Sequence, residues 1–192
     1  MKHVTTIPPT FWPVTVDECR YQMGNGNPGD NSRDVIIASR IRAVTRWFEN
    51  LTGTKICEQT ITAYGCRFYE QPIELKGPLK SVNSIRYIDK SGVDQLLLDT
   101  NYIVSTVNRR IMPAYNVSWP TAREQDESLR IEYVAGYPSA DAIPIELKEA
   151  ILFSVGAYEQ FQPSIESGVR PQTVPYAALQ LVQEHMDYRG WF

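Results

Sequence analysis

Histidine is nearly absent. The chain has two, His3 and His185, one near each end of its 192 residues. Neither has a Cys or Ser beside it in the frame of a nucleophile and its base, so the common triads of acyl transfer are not written here. Cysteine is scarce as well. Cys19, Cys57 and Cys66 are odd in number and lack the paired spacing of a zinc site. Reduced thiols in a cytosolic compartment are expected, with Cys57 and Cys66 either cross-strand neighbours or buried apolar side chains. No loop carries a calcium pattern. No run reaches the ~18 apolar residues of a membrane span, and MKHVTTIPPTFWP lacks the apolar segment of an export signal. Without that signal, the glycosylation triplets at Asn50 and Asn116 are chance matches. These absences lead to the expectation of no catalytic residue, no metal, no cofactor and no membrane contact; the chain reads as a non-enzyme.

Excess charge is also missing. The formal net charge is −3, so the total gives no support to a protein held on nucleic acid by phosphate contacts. The acidic groups Asp94 with Asp99, and Glu124 with Asp126 and Glu127, sit in or beside turns and read as solvated loop charge. Gly24-Asn25-Gly26-Asn27-Pro28-Gly29 has the spacing of a dinucleotide-binding turn. That site needs a strand before it and a helix after it, whereas here a helix precedes, so the segment reads as an interhelical loop.

What is present is ordinary globular material, 43% hydrophobic and 21% charged, enough for one domain or one domain with an insertion. The strongest periodicity lies in Ile143–Gln162. At about 100° per residue, Leu147, Ala150, Ile151, Ser154, Val155, Ala157, Tyr158 and Phe161 share one apolar arc. Pro144 suits the first turn, and Asp141 or Ser139 can cap it. Leu152 and Phe153 fall on the otherwise polar side; they pack either on another element of the chain or on a neighbouring subunit. A helix from about Ser32 to Leu51 carries a stripe of Ile37, Ile41, Val44, Phe48 and Leu51, and Gly53 closes it. Arg42, Arg46 and Glu49 are expected to face away, with Arg46 and Glu49 paired at i,i+3, and Arg40 at the stripe's edge beside Trp47.

The remaining elements follow in order. Residues 1–13, with Pro8, Pro9, Pro13, Phe11 and Trp12, read as an extended arm. Thr15 to Glu18 forms a capping box opening a short helix to about Met23. From Lys55 the period shortens to two. Short strands are predicted over Ile56–Thr62, Ile73–Leu75, Val82–Ile88, Gln95–Leu98, Tyr102–Val107, Ile111–Ala114 and Leu129–Val134, with a hairpin turn at Asp89–Gly92. They read as a meander of about 80 residues. A last helix, about Thr173 to Met186, places Leu179, Val182 and Met186 on one face, and Tyr188–Phe192 makes an aromatic tail. The fold class is α+β: a small helical bundle (about 14–53 and 141–187) with an inserted antiparallel β region (about 55–137), an N-terminal arm and a C-terminal tail.

The order of these pieces resembles a known family. Gly77-Pro78-Leu79-Lys80-Ser81-Val82, Ile85 to Gly92, Tyr102-Ile103-Val104, Trp119-Pro120 and Ile131 to Tyr137 are similar to the β insertion of head–tail connector (adaptor, head completion) proteins of tailed bacteriophages. Ile143-Pro144 with Leu147 to Leu152 continues the likeness, as do Val174 to Leu179 and Tyr188-Arg189. One departure is that Tyr158-Glu159-Gln160-Phe161 stands where the family tends to have Tyr-Glu-Asn-Arg, which removes a charge from the helix end.

The resemblance implies a virion structural protein, made in the host bacterial cytoplasm and built into the head–tail junction. Such proteins form a ring, commonly dodecameric, below the portal protein. They close the DNA-filled head, extend the DNA channel without sequence-specific binding, and receive the tail or the next adaptor. Alternatives are a tail-completion or second adaptor protein of the same neck and, at a distance, a small enzyme with an unmarked site. Candidate interface residues are Leu152, Phe153, Phe11, Trp12, Tyr188, Trp191 and Phe192, because aromatics supply contact area at low entropic cost. The arms dock on partners or fold back on their own subunit. Arg40, Arg42, Arg46, Arg109 and Arg110 are candidates for a surface facing DNA or a neighbouring subunit.

Overall fold

A computed structural model of the chain describes residues 1–24, 31–69, 72–160 and 176–186. Among these, four α-helices and two antiparallel sheets give the α+β class that the sequence predicts. The chain divides into two compact units, one from Met1–Thr10 with Glu58–Tyr137 and the other from the described residues of Phe11–Cys57 with Pro138–Phe192.

The first unit is all β. The strands are β1 (Lys2–Ile7), β2 (Gln59–Gly65), β3 (Ile73–Glu74), β4 (Leu79–Ile88), β5 (Asp94–Leu97), β6 (Tyr102–Ser105), β7 (Arg110–Pro113) and β8 (Leu129–Ala135). A five-stranded sheet runs β1-β2-β8-β4-β5 and a three-stranded sheet runs β3-β7-β6. β8 alternates strictly, with Leu129, Ile131, Tyr133 and Ala135 buried, as a strand with one face on a core should. Those residues meet Ile61, Ala63 and Ile85 of the flanking strands and share one apolar cluster with Ile73 and Ile111 of the second sheet and with Leu75, just past β3.

Two expectations for this unit are corrected. The strands do not form a meander: β8 inserts between β2 and β4, so the last of the described strands is the sheet's central one. It is the most regularly alternating segment, and the middle of a sheet is where two-sided pairing rewards it. The first half of the arm is also a strand of the sheet. Lys2–Ile7 is extended, as read, but it pairs with β2 from Lys2↔Tyr64 to Ile7↔Thr60. Pro8 and Pro9 follow at once and have no N–H to extend the ladder.

The second unit is helical. α1 (Val16–Gln22) opens on the capping box: the Thr15 side chain accepts from the Glu18 amide and the Glu18 carboxylate accepts from the Thr15 amide at 2.6 Å. α2 (Asp34–Thr52) ends at Gly53 in the left-handed region, φ 71°, where glycine has no Cβ penalty. α3 (Ile145–Gln160) and α4 (Tyr176–Val182) complete the set. Ile37, Ile41, Val44 and Phe48 of α2 are buried, as are Leu147, Ala150, Ile151, Ser154 and Val155 of α3; of the other predicted members, Leu51 and Ala157 are half-buried and Tyr158, near the end of α3, is 42% exposed, so the α3 arc leaves the core before the helix ends.

Other details differ from expectation. Asp141 and Ser139 do not cap α3. They belong to a 3-10 turn at Ala140–Ala142, where Ser139 makes no capping bond, and the Pro144 carbonyl accepts the first helical amides, Leu147 at 3.1 Å and Lys148 at 3.3 Å. Proline can serve there because a cap uses its carbonyl and not its missing N–H. Glu49 does not face away. It is 7% exposed, and its carboxylate accepts from Lys55 Nζ at 3.1 Å and the Ile56 amide at 3.0 Å. These donors follow the helix end and outcompete a surface partner because they are partly desolvated. The last helix ends earlier than predicted, passing into a 3-10 turn at Gln183–His185. Val182 is buried as expected, while Leu179 and Met186 are half-buried.

Candidate assembly surfaces

α2 positions the arginines singled out in the sequence. With Ile37, Ile41, Val44 and Phe48 turned inward, the opposite side carries Val35, Ile36, Arg42, Arg46 and Trp47, all exposed. Arg40 is half-buried at the edge of the stripe. The guanidinium of Arg42 lies 5.9 Å from the Trp12 ring centroid, within range of a cation–π contact. Phe11 and Trp12 are both half-buried, and Trp12 packs within its own helical unit. Arg109 and Arg110 belong to the sheet unit. Arg109 takes φ 53°, its carbonyl accepts the Leu75 amide at 2.8 Å, and its side chain lies against Gly77 where a Cβ would stand. Arg110 is half-buried and opposes Glu74 and Ser105 in the ladder.

α3 presents Ile145, Glu146 and Phe153 to solvent, with Glu149 and Leu152 half-buried beside them. Phe153 is 40% exposed and Ile145 61%; for large apolar side chains on a helix of the bundle this is spare surface. Tyr188, Trp191 and Phe192 lie outside the described residues, as do residues 25–30 of the glycine-rich segment and Phe161.

The sheet unit holds an open cleft of about 710 Å³ lined by Arg67, Phe68, Tyr69, Pro113, Trp119 and Glu124, among others. Phe68 and Trp119 stack at 5.0 Å between centroids, and Arg67 bonds Glu124 at 2.6 Å on the rim. That carboxylate holds the Arg67 guanidinium above its ordinary range. Arg67 and Glu124 thus pair with each other on the rim, while the indole Nε1 of Trp119 is buried with no hydrogen-bond partner among the described residues. On the sheet, Asp94 bridges Arg86 and Arg130, and the Arg86 hydrogen bond, first, holds its carboxyl below the usual range. The thiols of Cys19 and Cys57 are pushed up to about 12 by burial, with Glu18 and Glu49 adding to it. Among the described residues no three His, Cys, Asp or Glu side chains gather as metal ligands, and no helix is long and apolar enough to cross a membrane.

Sequence reasoning missed the exposed apolar residues of α2. Val35 is 82% exposed, yet a helix-start valine beside Ile36 and Ile37 reads as core unless the phase of the whole stripe is weighed.

No protein-family model and no curated protein matches the chain. Solved structures do. The chain is similar to one in the neck of an empty gene transfer agent (GTA) particle computed with C6 symmetry, with TM-score 0.78, 17% identity, and 98% and 97% of the two chains covered. It is similar over the same shares to a chain of the virion of a native GTA particle, with TM-score 0.80 and 18% identity. A third likeness, TM-score 0.74 at 15% identity, is to a chain in the neck of the native GTA particle computed with C12 symmetry. Over the described residues, the fold is that of these chains.

Proposed function

We propose that the chain is a structural protein of a virion neck, forming a ring below a portal protein. There it closes the filled head, continues the DNA channel and receives the tail or the next adaptor. The observation that carries this is the likeness over 98% of the chain to chains of a particle neck, joined to exposed apolar surface on both α2 and α3. The particle symmetries of those neighbours, C6 and C12, favour a dodecamer. A closed ring of identical subunits needs heterologous contacts, one face of each subunit fitting a different face of the next, and two unlike helix faces meet that need.

The action is mechanical. Leu152 and Phe153 belong to subunit contact, and Tyr188, Trp191 and Phe192 anchor the tail segment on an adjoining neck protein. DNA passes through without base readout, and a net charge of −3 keeps phosphates from adhering. A second reading, a tail-completion or second adaptor protein, places the same ring one level lower in the neck.

The test is removal of the chain from a producing cell. Filled heads that lack tails, restored to whole particles by the parent chain but not by a chain ending at Met186, are the expected result. Whole, stable particles made without the chain would overturn the reading.

A further inference from the structure

The two unneutralised helix faces of the bundle are opposite in charge and alike in apolar content. α2 carries two acids, Asp34 and Glu49, and both are engaged inside the subunit: Asp34 pairs with Arg20, and Glu49 with Lys55 and Ile56. What remains outward is basic and apolar, Arg42 and Arg46 among Val35, Ile36 and Trp47. On α3 the outward side is acidic and apolar, with Glu146 and Glu149 among Ile145, Leu152 and Phe153, and one base, Lys148, at its margin. Glu146 has His185 at 3.9 Å and keeps half its side chain in solvent.

We propose that these faces are partners, the α2 face of one copy seating on the α3 face of the next around the ring. The inference rests on the ring reading above and names its contact. α2 and α3 are in contact within one copy, and each buries the stripe opposite its outward face, so within one copy the outward faces are turned to solvent. They can meet only between copies. That is the head-to-tail relation a closing ring requires. At 1.5 Å per residue the helices are about 28 and 24 Å long, well matched for side-by-side seating. Opposite charges then fix the register and reject the like-with-like pairings, α2 on α2 or α3 on α3. DNA is the other conceivable occupant of the α2 face. Phosphates would neutralise Arg42 and Arg46 but leave Val35, Ile36 and Trp47 wet, whereas the apolar residues of α3 cover them.

The experiment uses two full-length variants, Arg42→Glu with Arg46→Glu, and Glu146→Lys with Glu149→Lys. Ring content is read by mass photometry alongside the parent, and helix content by circular dichroism. Each variant alone is expected to lose rings by about tenfold or more, through like-charge contact. Mixed in equal amounts they should restore them, since an alternating ring places opposite charges at every junction. Folded variants that assemble as the parent does, or a mixture that restores nothing, overturn the pairing while leaving the ring reading intact. A parent that forms no ring under any condition, including on its portal, overturns both. An α2 variant that forms rings normally but fails to retain DNA reassigns the face and also overturns the pairing. Because Arg42 stacks on Trp12 and its loss can disturb folding, Val35→Cys with Phe153→Cys gives an independent reading. In a Cys66→Ser background, oxidation should link copies into a ladder that neither single variant forms; a double variant that yields only monomer contradicts the proposal.

Discussion

His3 Nδ1 lies 2.9 Å from the hydroxyl of Tyr133, tying the edge strand β1 to the buried centre of β8. The Lys76 amide donates to the same oxygen at 3.3 Å, so one phenol oxygen joins the imidazole of β1 to the backbone after β3. Burial raises the Tyr133 phenol above its ordinary range. Tyr133→Phe strips two partners from one buried oxygen and is expected to cost about 1–3 kcal/mol. Urea unfolding measures it, and hydrogen exchange should quicken first in β1. Unchanged stability would mean that the bond holds nothing.

At the end of α2 a buried carboxylate does the work of a second cap. Glu49→Ala leaves the Ile56 amide without an acceptor and Lys55, 19% exposed, without its counter-charge. A loss of about 2–4 kcal/mol is expected in thermal or urea unfolding. A loss below about 0.5 kcal/mol would place Glu49 among surface residues.

The Asp89 turn should be acid-sensitive. Its carboxylate accepts from the amides of Val93 and Ser91 and from the Gln95 side chain. The Val93 amide, first, and then Gln95 hold the carboxyl below its ordinary 3.8. In the window between the folded and unfolded values the unfolded chain binds the extra proton. The turn's stabilisation is therefore complete above about pH 4 and fades as pH falls through the folded value. Asp89→Asn should flatten that dependence. Carbonyl NMR titration reads it directly, and a midpoint at or above 3.8 would contradict the hydrogen-bond account.

Much of this fold is legible in residue order, for local reasons. The Thr15–Glu18 box, the α2 stripe and the Gly53 stop depend on neighbours within a turn or two, and each lies where the pattern places it. The arrangement of the strands was not legible in the same way. β1 pairs with a strand more than fifty residues away, and its burial hardly alternates, so nothing local distinguishes it from an arm. The central place of β8 likewise follows from non-local pairing, although its strict alternation was a signal. Glu49 was misread because its partners lie beyond the helix, outside any i,i+3 rule. Of the candidate surface, Leu152 and Phe153 stood out as apolar residues out of phase. Val35 and Ile36 did not, since their exposure depends on which side of α2 the bundle covers.

The three thiols should separate by reactivity. Cys19 and Cys57 are buried and pushed up to about 12, so at pH 8 they are almost wholly thiols and shielded. Cys66 is half-buried, with its Sγ 3.6 Å from the Tyr69 hydroxyl. Alkylation of the native protein should stop at one equivalent, and denaturation should release two more. Rapid loss of all three in the native state would contradict the packing of α1 and of the segment after α2.

The central claim is that this chain works as a ring in a virion neck, and imaging the assembled particle at side-chain resolution tests it most directly. The account predicts a closed ring of identical copies between head and tail, with α2 of each copy against α3 of the next. A particle whose neck contains no copy of the chain would contradict it.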